Sequence, residues 1–187
     1  MLATLSAVAA AVLVSGTAGG YTVDAEGRFA PPAAFIPSAA VTYDQSFVPA
    51  AASIRVRQHT AAGGATTVDL RITGVRPHHS FGAYVHERPC GARPADAGAR
   101  YENQPGGAEG DAVRLDLTTD AQGAGAASDH HTWGLRRGEA ASVVIQDRPG
   151  DDATRVACFT VPFGWVTEQA RAYDGKTTGP RTGPQVR

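Results

Sequence analysis

From Ser53 onward apolar and polar residues alternate one by one along the chain. Ile54 and Val56 are interleaved with Arg55 and Arg57, and Val68, Leu70 and Ile72 with Asp69, Arg71 and Thr73. Successive side chains on a strand point to opposite faces, so a period of two marks a strand with one face in a core and the other in water. Gly63-Gly64 separates the two runs, which is the turn chemistry of a hairpin. Further short runs follow at Phe81 to Glu87, Val113-x-Leu115-x-Leu117, Ser142 to Gln146 and Val156 to Val161. After the N-terminal stretch, no window of ten or more residues carries an apolar stripe of helical period. Six to eight short strands separated by turns predict an all-β domain, an antiparallel sandwich or barrel.

The N-terminus follows a different rule. No charged side chain precedes Asp24. Leu2 to Val14 contains only Leu, Ala, Val, Ser and Thr, and Ser15, Gly16, Thr17, Ala18, Gly19 and Gly20 follow. As a helix the apolar run covers roughly 20 Å, short of a hydrocarbon core of about 30 Å. It matches the hydrophobic region of a secretory signal, with Gly16 and Ala18 at the small positions before cleavage. Nothing basic precedes the run except the amino terminus, and an uncleaved anchor is the alternative. The expected division is a signal peptide over 1–18, a Pro/Ala-rich extended arm over 19–50, a β-barrel domain over 51–166 and a flexible polar tail over 167–187. The product is expected to be secreted, with no stable membrane insertion after cleavage.

Composition narrows the partners. Seventeen Lys+Arg against eighteen Asp+Glu leave a net charge of −1, so no summed field gathers polyanions and a nucleic-acid partner is not expected. With 22 Gly and 12 Pro among 42% hydrophobic residues, the chain is too apolar for wholesale disorder and too rich in turn formers for a helical bundle. Cys90 and Cys158 are the two cysteines. An oxidising compartment lets them pair, which would restrict the unfolded chain by roughly 4 kcal/mol in the loop-entropy model. Two separate buried thiols are the alternative. Neither sits in a C-x-x-C pair or beside an obvious base, which argues against a catalytic thiol.

Three stretches share an order and spacing. Gly82-Ala83-Tyr84-Val85-His86-Glu87 precedes Cys90-Gly91, Ala141 to Asp147 is a strand with a polar end, and Arg155-Val156-Ala157-Cys158 follows. This arrangement resembles the secreted bacterial type of the copper/zinc superoxide dismutase family over about Ser53 to Pro162. The resemblance implies a Greek-key β-barrel or sandwich of about eight antiparallel strands. It implies a disulfide between Cys90 and Cys158, and it gives Arg155 the place of the arginine that guides superoxide to the copper. Of the copper-ligand positions only His86 is retained. Tyr84 replaces the first histidine of the His-x-His pair, Arg100 falls where the bridging histidine belongs, and Gln146 replaces the late histidine. Between Glu87 and Asp129 there is no histidine for zinc.

Copper that cycles between oxidation states is suited by imidazole nitrogens. A phenol binds only as phenolate, against a reference pKa of about 10. A carboxamide is a weak neutral donor, and a permanent guanidinium repels Cu²⁺. His78-His79 and His130-His131 are neighbours on extended chain and point to opposite faces. A relocated site would have to combine His86 with His79 or His131 across the barrel. Glu87 and Asp147 follow ligand-equivalent positions and are expected to face solvent.

Three functions compete. One is a non-catalytic structural or binding domain with a dismantled metal site, for which no cofactor is expected and the partner is unknown. Tyr84 and Arg100 would then line a small polar pocket. The second is a dismutase with altered ligation, holding copper with or without zinc. The third, an unrelated hydrolase, has no support, because the chain lacks G-x-S-x-G and H-E-x-x-H.

Overall fold

The computed structural model describes residues 11–17, 20–34, 38–106 and 111–164. Among these residues ten strands make two antiparallel sheets of five. Sheet one runs in the order β1 (Ala11–Thr17), β2 (Gly20–Arg28), β4 (Ser53–Ala61), β5 (Thr66–Thr73) and β8 (Gly125–His131). Sheet two runs β3 (Ala40–Thr42), β10 (Arg155–Thr160), β9 (Ser142–Gln146), β6 (Ser80–His86) and β7 (Leu117–Thr118). The sheets pack face to face and meet at one corner, where Ala30, just beyond β2, bridges Val41 in β3. From β8, at the edge of sheet one, the chain crosses to sheet two as β9, which pairs with β6 and not with its sequence predecessor β8. Such non-sequential pairing is the Greek-key signature. Among the described residues no helix is long and apolar enough to cross a membrane.

The alternating runs behave as their period demands. In β4, Ile54, Val56, Gln58 and Thr60 are buried while Arg55, Arg57, His59 and Ala61 are exposed. From β5, Val68, Leu70 and Ile72 reach the same core. Phe81, Ala83, Val85, Val143, Ile145, Ala157 and Phe159 meet them from sheet two.

The 19–50 segment is no surface arm. Its residues Gly20–Arg28 pair along their whole length with β4, from Gly20 opposite Ala61 to Arg28 opposite Ser53. Val23 and Ala25 are fully buried, and Phe29 is 2% exposed. Ala40–Thr42 adds β3 to sheet two. Two inward positions of β2, Ala25 and Gly27, are small, and at Gly27 a Cβ would come 2.7 Å from the Phe159 ring, so the alternation is hard to see from hydrophobicity alone. The domain therefore begins before residue 51. Ala11–Thr17, inside the region read as a signal, pairs with β2 as an edge strand. Of Val113-x-Leu115-x-Leu117, only Leu117–Thr118 joins a ladder, although Val113 and Leu115 are fully buried. The tail over 167–187 lies outside the described residues.

Phe29 tests whether the 19–50 segment is integral. Phe29→Ala is expected to lower the free energy of unfolding by about 3–5 kcal/mol in urea titrations, the cost of emptying a packed aromatic site. An unchanged midpoint would mean the segment lies on the surface.

Candidate functional site

Sheet two buries both of its faces. Every residue of β9, and every residue of β6 after Ser80, is buried. One face packs on sheet one, and the 88–102 and 148–154 loops close over the other, while 113–115 runs beside β6 with Leu115 N–H donating to the Ala83 carbonyl. The period of two puts Tyr84 and His86 on the loop-covered face beside Val144, Gln146 and Cys158. In register Tyr84 lies opposite Val144, His86 opposite Ser142 and Gly82 opposite Gln146. Gly82 lets the 148–149 turn come close, since a Cβ there would meet the Arg148 carbonyl at 2.6 Å. Cys90 and Cys158 are disulfide-bonded, with Cα atoms 5.7 Å apart, and so tie the 88–102 loop to β10.

The structure brings Tyr84, His86, Arg100 and Gln146 together. Arg100 arrives through a backbone bridge to His86. Its guanidinium carbon lies 3.6 Å from the centroid of the Tyr84 ring, a cation–π stack. Arg100 Nη2 donates to Gln146 Oε1 at 3.1 Å and to the Gly150 carbonyl at 2.9 Å. Its Nη1 pairs with Asp151, a carboxylate otherwise open to solvent. Gly150 N–H donates to the Tyr84 hydroxyl oxygen at 3.2 Å, and Gln146 Nε2 donates to the Ala153 carbonyl at 3.3 Å. The side chains thus fill and satisfy one another, and the small polar pocket expected between Tyr84 and Arg100 is occupied by the guanidinium itself.

His86 is fully buried. Its Nδ1 lies 3.0 Å from the Gly98 carbonyl, which can only accept, so Nδ1 carries the proton and Nε2 keeps a lone pair. Among the described residues that Nε2 has no hydrogen-bond partner. Burial pushes the imidazole pKa down to about 4, the guanidiniums of Arg155 and Arg100 push the same way, and the bond to Gly98 opposes them. Arg155 is anchored through Nη1 to the Pro94 carbonyl and Nη2 to the Gly98 carbonyl, each at 3.0 Å. Its pKa is lowered by burial first and by Arg100 second. Gly98, at φ 76°, turns its carbonyl toward both His86 and Arg155.

This donor set does not fit a redox copper. It offers one free imidazole nitrogen, a phenol whose oxygen accepts a backbone bond and whose ring carries a cation, a carboxamide oxygen taken by that cation, and the cation. The other histidines are dispersed. His79 packs between Phe47 and Phe81, and its Nε2 meets the Asp147 carbonyl. Exposed His78 adopts a positive φ of 49°. His130 lies on the outer face of sheet one against Thr67, and His131 stacks on Trp133 beside Asp129. Glu87 is exposed, whereas Asp147 is partly buried and accepts from Thr154 N–H at 2.8 Å. Among the described residues no group of three or more His, Cys, Asp or Glu could hold a metal ion. Asp151 and Gly150, which hold Arg100, were not singled out by sequence reasoning. The acidic pair after Pro149-Gly150 was the available signal.

Neither the family models nor the curated proteins compared with this chain match it. Among solved structures, a double mutant of an SOD-like protein from Bacillus subtilis is similar over 59% of this chain and 88% of that one. The identity is 15% and the TM-score 0.44.

The buried imidazole sets a pH dependence. His86 is protonated more readily unfolded, near 6.5, than folded, near 4. The stability it contributes is complete above about pH 6.5 and is lost as pH falls toward 4, by about 3 kcal/mol in all. His86→Asn, which keeps a donor toward Gly98, is expected to flatten the fall in urea stability between about pH 6.5 and about pH 4.5. An equal slope in both proteins would place the titration elsewhere.

Proposed function

We propose that this chain is an exported superoxide dismutase-like domain without a copper/zinc centre or dismutase activity, kept as a structural or binding module. The observation that carries the reading is the Arg100 guanidinium stacked on Tyr84 and bonded to Gln146 and Gly150. By resemblance, three of these four residues stand at copper-ligand positions. A fixed cation there repels a second cation, and its hydrogen bonds consume the acceptors a metal would need. Arg155, at the anion-guiding position of the family, has no redox centre to serve and instead braces the loop carrying Gly98. Export is supported by the signal-like N-terminal run and is compatible with the disulfide, which persists in oxidising compartments.

One observation favours a second reading, a copper-dependent dismutase with altered ligation. His86 Nε2 is an unprotonated, unpartnered donor inside the site. It is a single ligand, and among the described residues none beside it completes a coordination sphere.

Metal content separates the two. Protein refolded and dialysed with Cu²⁺ and Zn²⁺ is expected to retain well under one equivalent of copper and to show no superoxide dismutation. Near one equivalent of copper, with activity abolished by His86→Ala, would establish the second reading.

A further inference from the structure

Strand β1 is a lightly held edge. Val12 and Leu13 are 42% and 72% exposed, the exposed large hydrophobics among the described residues, and Ser15 is also exposed. Val14 alone among its described side chains packs, half-buried, against the core. Strand β1 is paired with β2 along its whole length, but it is β2, paired along its full length with β4, that contributes Val23 and Ala25 to the interior. The buried core begins at Val23. The domain is therefore complete from β2 onward. On the export reading above, on which this inference rests, cleavage after Ala18 removes β1 and leaves the backbone of Gly20 to Glu26 unpaired on one side.

An unpaired strand edge is a template for another strand, and monomeric proteins usually blunt it with charge. Here the outward carboxylates are already neutralised within the chain. Asp24 is held by Arg55 at 2.6 Å and Arg57 at 2.9 Å, and Glu26 by Arg55 at 3.0 Å. The edge also fits its own copy. In an antiparallel two-fold centred on Val23, Val23 faces Val23, Thr22 faces Asp24, Tyr21 faces Ala25 and Gly20 faces Glu26. Each pair lies on one face of the sheet, no carboxylate opposes another, and the span is that which β1 covers, from Thr17 opposite Gly20 to Ala11 opposite Glu26. A register centred on Asp24 would oppose like charges. Val23 would keep an aliphatic neighbour on the core side, as it now has in Val14.

We propose that the cleaved chain forms a two-fold dimer through β2, joining two sheets into one, and that β1 covers this edge until export is complete. The contact is isologous and closes on itself, so it gives a dimer and no fibre.

Sedimentation of three proteins tests the proposal. The chain beginning at Gly19 is expected to show twice the monomer mass at micromolar concentration, and the full chain, whose β2 edge is taken by β1, to lack that dimer. Thr22→Asp in the shorter chain places two carboxylates opposite Asp24 across the two-fold and is expected to return it to monomer with unchanged thermal unfolding. A monomeric shorter chain that unfolds cooperatively would overturn the proposal, as would a dimer that survives Thr22→Asp or forms equally with β1 present. Failure of the shorter chain to fold would overturn it too, because the domain would then depend on β1. The intact mass of the exported protein reports separately on the export reading, since retention of residues 1–18 would refute cleavage whatever the shorter chain does.

Discussion

Burial of both faces of sheet two governs the rest of the molecule. A sheet with one wet face can leave polar side chains to water, but β6 and β9 have none. Each polar group on their loop-covered side must find a protein partner or leave a costly unsatisfied atom. That requirement places the Gly98 carbonyl under His86 Nδ1, the 150–153 turn over Tyr84 and Gln146, and the disulfide between the 88–102 loop and β10. His86 Nε2 is the described atom for which the accounting fails. An unsatisfied neutral imidazole is tolerated more readily than a buried charged one, and burial keeps this ring neutral.

The guanidinium of Arg100 answers the same constraint. A half-buried cation needs compensation, and it receives a ring face, two carbonyl-type oxygens and a carboxylate. Planar Arg offers several donors at once, where an ammonium would act as a compact point charge. The resulting cluster links four separate segments: β6, the 88–102 loop, the end of β9 and the 148–154 turn. It does structurally what a bound ion could do, tying those segments together around one charge.

The fold was legible wherever alternation was strong. Ile54/Val56 and Val68/Leu70/Ile72 revealed β4 and β5 because their outward partners are charged, so the contrast between faces is large. Strands β2 and β8 were missed for the opposite reason. Ala25 and Gly27 are too small to mark an inward face, and Gly125–His131 carries few apolar residues because it lies at a sheet edge. The segment read as a signal has a composition that suits either a leader or an edge strand, and periodicity does not separate them. At the site, the family resemblance singled out Tyr84, His86, Arg100 and Gln146, and these four converge in the structure. The partners of Arg100 could not be read, since Asp151 lies 51 positions along the chain and is brought in by a turn with no periodic signature. The neutral state of His86 is likewise a consequence of tertiary burial.

The central claim is that a guanidinium occupies the place where the resemblance would put copper, and diffraction tests it directly. Crystals grown with excess Cu²⁺ and measured at the copper absorption edge should show no anomalous peak beside His86 Nε2, with Arg100 still stacked on Tyr84. A strong peak at bonding distance from His86 Nε2, with Arg100 swung into solvent, would contradict the account.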